Sequence, residues 1–115
     1  MLIFKNKTLV TILLLTALNG ALPGPALAGD AVAGRAKAQV LCENCHGADG
    51  MAVLPGAANL SGQQKEYLRE QLRAYRSGSR QGPQMSVIAK ILTDADIENL
   101  ADWYSSIKIS VEMPK

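Results

Sequence analysis

The chain has 115 residues, with twelve basic and ten acidic side chains, two cysteines and a single histidine. That length permits one domain with a thin core. The positive excess comes from Lys5 and Lys7, so the rest of the chain is balanced in charge and carries no basic patch for nucleic acid.

Residues 1–28 read as a cleavable export signal. Lys5 and Lys7 supply a basic start, Leu9 to Leu18 an apolar stretch, and Pro23-Gly24-Pro25 a helix break before the small-x-small site Ala26-Leu27-Ala28. The apolar stretch is shorter than the roughly 20 residues a bilayer span needs, so no membrane span is expected after processing. Cleavage there leaves residues 29–115 as one domain and places the protein outside the cytoplasm. So small a domain calls for a staple.

Asp30 is placed to cap a helix over 31–41, in which Gly34, Ala36 and Ala38 keep the surface small enough for another helix to approach closely. Next comes Cys42-Glu43-Asn44-Cys45-His46, the spacing by which a c-type haem is attached. Each thiol adds across one vinyl group of the macrocycle, and the following histidine can reach the iron. A thioredoxin-like disulfide would need a βαβ context that is missing here. A structural zinc site would need four ligands, and no further Cys or His exists to supply them.

Gly47-Ala48-Asp49-Gly50 reads as a turn and the stretch to Ala58 as a loop, broken again at Pro55-Gly56. Ser61-Gly62-Gln63-Gln64 fits a capping box opening a helix that runs to about Arg76. Tyr67, Leu68, Gln71, Leu72 and Tyr75 share one of its faces, and Ser77-Gly78 closes it. Arg69, Arg73 and Arg76 line another side, either as a solvated face partly neutralised by Glu66 and Glu70 or as a stripe that docks an acidic partner. After a flexible stretch over 77–81 and Gly82-Pro83-Gln84-Met85, a short apolar segment spans 87–92. Thr93-Asp94-Ala95-Asp96 is a second capping box, and it opens a helix over 94–107 with Ile97, Leu100, Ala101, Tyr104 and Ile107 on one face and Trp103 beside them. No strand pattern competes. The expected fold is all-α, with three main helices and a short fourth around one covalent haem.

The iron opposite His46 calls for a second ligand. With no other histidine, a methionine sulfur is the candidate, and a His/Met pair raises the reduction potential. Met51 lies too close to His46 in the chain to reach the opposite face, and Met113 belongs to a terminal tail. Met85 lies on a loop with room to wrap round the ring.

Residues 29–115 resemble a class I c-type cytochrome of bacteria, similar to one half of the two-haem "c-four" type. The shared residues are Gly29–Ala31, Cys42–Gly50, Gln63 with Tyr67-Leu68 and Gln71-Leu72, and Ser77–Arg80. They continue through Pro83-Gln84-Met85, Leu92–Asp96 and Leu100–Tyr104. The resemblance implies thioethers at Cys42 and Cys45, with His46 and Met85 as the axial pair. It also implies that the Pro55 carbonyl accepts the Nδ1 hydrogen of His46 and that Gly34 sits under Trp103 or Tyr104 where the terminal helices cross. Arg80 is a further candidate, as partner of a haem propionate. The function expected is that of a periplasmic one-electron carrier between a redox-protein donor and acceptor, not an enzyme. The alternative is a cytochrome subunit of a larger dehydrogenase or oxidase. An open-iron peroxidase or gas sensor is disfavoured by Met85.

Overall fold

The computed structural model describes residues 28–115, so the expected export signal, up to its last residue, lies outside the described residues. Five helices follow one another: α1 (Ala31–Leu41), α2 (Glu43–His46), α3 (Lys65–Ser77), α4 (Met85–Lys90) and α5 (Asp94–Ser106). No strand occurs among the described residues. The three long helices stand where the periodicity put them, and α2 is a single turn made by the cysteine motif itself.

α1 begins where its cap dictates. The Asp30 carboxylate accepts from the backbone N–H groups of Val32 (2.8 Å) and Ala33 (3.3 Å), satisfying donors that the first turn leaves bare. The Asp30 N–H in turn donates to Asn99 Oδ1 on α5 at 2.7 Å. This ties the start of the domain to its last helix. Gly34 is buried at the crossing, where a Cβ would overlap the Asn99 carbonyl and come within 2.9 Å of Trp103 Cβ. Only glycine permits that approach, and the aromatic residue above it is Trp103.

α5 is the central element of the core. Its expected capping box forms in full, with Asp96 N–H donating to Thr93 Oγ1 (3.0 Å) and Thr93 N–H to Asp96 Oδ2 (2.9 Å). Ile97, Leu100, Ala101 and Tyr104 are buried together with Ala38 of α1, Leu68 of α3, and Leu92. The largest fully buried side chains are Ile97 and Leu100, which is a modest apolar centre for a domain of this length.

Two sequence expectations are corrected by α3. The capping box at Ser61–Gln64 does not form, and the helix starts at Lys65 without a side-chain cap. Ser61 is taken by the preceding loop instead: its hydroxyl donates to the Asp49 carbonyl at 2.5 Å, and its N–H joins that of Leu60 on the Gly50 carbonyl. The arginine stripe is not a free row of charges: Arg69 pairs with Glu66 as expected and Arg73 stays exposed, but all three arginines also reach groups on or beside α5. Arg69 and Arg73 converge on the carboxylate of the buried Glu98 at 3.3 and 2.9 Å, and Arg76 meets Asp94 at 2.5 Å and the Leu92 carbonyl at 3.1 Å. Glu98 and Asp94 are one turn apart on α5, so they meet an arginine row of the same pitch. The far end of α3 stops as expected, with Gly78 in the left-handed region (φ 84°).

Candidate functional site

The motif residues lie at the junction of α1 and α2. Cys42 ends α1 and begins α2, so one turn of helix separates its thiol from that of Cys45; both are unpaired and half-buried. Burial pushes the Cys42 thiol above its ordinary range, an effect partly offset by the Tyr104 hydroxyl. His46 closes the turn and is only 8% exposed. Its Nδ1 lies 2.7 Å from the Ala58 carbonyl oxygen. A carbonyl can only accept, so Nδ1 carries the hydrogen and Nε2 is left with a free lone pair.

The acceptor is therefore Ala58 and not Pro55. Pro55 lies in an exposed turn closed by Ala57 N–H donating to the Leu54 carbonyl at 3.0 Å. The chain has to pass that turn before it returns beneath the imidazole. No side-chain signal could have found Ala58, because the group it contributes is a backbone carbonyl that any residue carries.

The loop between Asp49 and Lys65 has no charged residue. It folds back on α2, with the N–H groups of Val53 and Leu54 donating to the Cys45 carbonyl at 3.1 and 3.2 Å. Met51 follows the turn beside Gly47, whose positive φ of 78° lets the Met51 carbonyl pack where a side chain would stand. Met51, Val53 and Leu54 are all left exposed, as are Val87 on α4 and Ile91 just after it. So many bare apolar side chains beside a small core suit a chain that packs against a large apolar group.

Met85 opens α4 and is half-buried. That helix packs against α3, so His46 and Met85 stand on different elements. Arg80 is exposed, donates to Gln71 Oε1 at 2.5 Å and lies over the Tyr75 ring at 4.6 Å from its centre. Among the described residues no cluster of three His, Cys, Asp or Glu forms a rival metal site, and no helix is long and apolar enough to cross a membrane. Two unpaired thiols one turn apart, an imidazole with a free Nε2 and the uncovered apolar side chains together fit a covalently held haem.

The cytochrome c family profile matches residues 28–108. Cytochrome c4 of Pseudomonas aeruginosa is 41% identical over 108 residues, which cover 94% of this chain and 52% of that protein. Cytochrome c-554(548) of Halomonas halodenitrificans is 44% identical over 82 residues, covering 69% of this chain and 98% of the relative. Among solved structures, reduced recombinant cytochrome c4 from Pseudomonas stutzeri superposes with a TM-score of 0.66 at 39% identity, over 73% of this chain and 48% of that one. The chain thus spans about half the length of the c4 proteins it matches.

Proposed function

The chain belongs to the cytochrome c family, and from that premise we propose that it is a periplasmic one-electron carrier holding a single haem c between His46 and Met85. The observation that carries this reading is the buried His46, its Nδ1 committed to the Ala58 carbonyl, directly after two unpaired cysteines one helical turn apart. When bound, the haem supplies reversible exchange of one electron at iron.

The residues of the chain do the rest. Cys42 and Cys45 would hold the haem covalently, each thiol adding across one vinyl group with its hydrogen going to the neighbouring vinyl carbon, so that no oxidant is needed. The Ala58 carbonyl fixes the tautomer and tilt of His46 and strengthens Nε2 as a donor. Val53 and Leu54 fasten the loop to α2 through their N–H bonds to the Cys45 carbonyl. Met85 offers a neutral thioether that favours the reduced iron. Met51, whose backbone packs beside Gly47 next to His46, belongs to the proximal side. Arg80 has N–H groups to spare beyond its bond to Gln71, which suits it to a propionate.

Met85→Ala tests the assignment. The variant should lose the sulfur-to-iron band at the red end of the ferric spectrum, bind carbon monoxide when reduced, and fall in potential. Met51→Ala should do none of this. The reverse pattern would overturn the Met85 ligand, and a wild type that already binds carbon monoxide readily would overturn the carrier reading. The uncharged loop with its exposed Met51, Val53 and Leu54 also suits a lasting apolar contact, as in the cytochrome subunit of a larger dehydrogenase or oxidase. A native species of several subunits on size exclusion would favour that arrangement.

A further inference from the structure

Tyr104 has a hydroxyl that the fold leaves unemployed. The side chain is 3% exposed, yet its oxygen completes no hydrogen bond with any atom of the chain, sulfur included. Buried hydroxyls are nearly always paired, and an orphan asks for an explanation. Tyr104 is held firmly: its ring lies where a Cβ on Gly50 would come within 3.0 Å of Cδ1, and its carbonyl accepts from Gly62 N–H at 2.9 Å. Cys42 packs against the same cluster. Burial and this neighbour together push the phenol above its ordinary range, so it stays a neutral donor at every working pH.

A free thiol can both donate and accept weakly, so the direction of its contact with a phenol is open. A thioether has no hydrogen and can only accept. We propose that Tyr104 is a positioning residue for the haem, its hydroxyl donating to the sulfur of Cys42 once that sulfur has become a thioether. The bond fixes one corner of the attached group from the α5 side, opposite in the chain to the hold that Ala58 has on His46. It also withdraws electron density from the sulfur and so favours the reduced iron.

The proposal rests on the haem reading, and the test separates the two. Tyr104→Phe keeps the ring and removes only the oxygen, and is measured as the holoprotein against wild type. The alkaline pyridine spectrum reports haem attachment independently of potential; it should show the two-thioether haem in both proteins, and its absence from the wild type would overturn the haem reading itself. The variant should then show a lower reduction potential and a lower urea midpoint. An unchanged potential overturns the proposal, whether stability falls, as for a packing role, or rises, as when an unpaired buried hydroxyl is deleted. A second measurement needs no variant. Proton NMR of the reduced wild type should show a slowly exchanging Tyr104 hydroxyl with cross-relaxation to the Cys42 β-protons, and a hydroxyl in fast exchange would overturn the bond.

Discussion

Along the seam between α3 and α5, the buried Glu98 meets Arg69 and Arg73, Asp94 meets Arg76, and Lys65 meets Asp102. By contrast, the loop from Gly50 to Gln64 has no charge at all and holds the site through the Ala58, Cys45 and Gly50 carbonyls. The difference teaches what each region is for. Charges that face one another across a helix pair set register and are consumed in doing so. Backbone carbonyls hold a ligand without adding charge near a centre whose potential depends on its surroundings.

The largest expected effect tests whether the uncharged side needs its haem to fold. Cys42→Ala together with Cys45→Ala should leave little stable protein and no cooperative melting transition, because the core loses its largest apolar component. A protease-resistant form with native helix content by circular dichroism would show that the charged seam suffices alone.

Breaking the seam instead should cost stability and spare the site. Arg69→Met with Arg73→Met leaves Glu98 buried without a partner, a change worth about 3–5 kcal/mol in urea unfolding. The haem spectrum and reduction potential of the folded variant should not move. A shifted potential would mean that the two regions are coupled.

Gly34→Ala probes the crossing that carries both regions. The added methyl meets the Asn99 carbonyl, so α1 and α5 have to part, at about 1–3 kcal/mol measured by thermal melting. A neutral result would mean that the helices cross less closely than Gly34 requires.

Ionic strength distinguishes which side meets a redox partner. Docking through the uncharged loop should give an association rate that changes little as salt rises, whereas docking through arginines would slow steeply under screening. Stopped-flow electron transfer over a range of salt measures this directly.

The smallest effect is in acid. The Thr93 N–H, and after it Lys37, holds the Asp96 carboxyl below its ordinary range, and Arg76 does the same for the exposed Asp94. A carboxylate with a lowered folded-state pKa stabilises the fold above its unfolded value of about 4 and loses that contribution as the pH falls through the folded value. Stability should therefore be flat near neutrality and decline below pH 4 or so. Thr93→Val removes the hydroxyl cap but keeps the N–H that Asp96 accepts from, so it should cost about 1 kcal/mol at neutral pH and leave most of the acid decline in place.

Much was legible in the sequence, for local reasons. Asp30, Thr93 and Gly78 act within one turn of their own position, so the bounds of α1 and α5 and the end of α3 follow from the chain alone. The cysteine motif is equally local, since three residues are one turn of helix. Tertiary structure decided what depends on who arrives from elsewhere. Ser61 had the pattern of a cap but was claimed by the Asp49 carbonyl, and the arginine row had the spacing of a free face until α5 brought Glu98 to it. The hold on His46 passed from the expected Pro55 to Ala58 because a carbonyl is the same on every residue, and only the path of the loop selects which one lies beneath the ring.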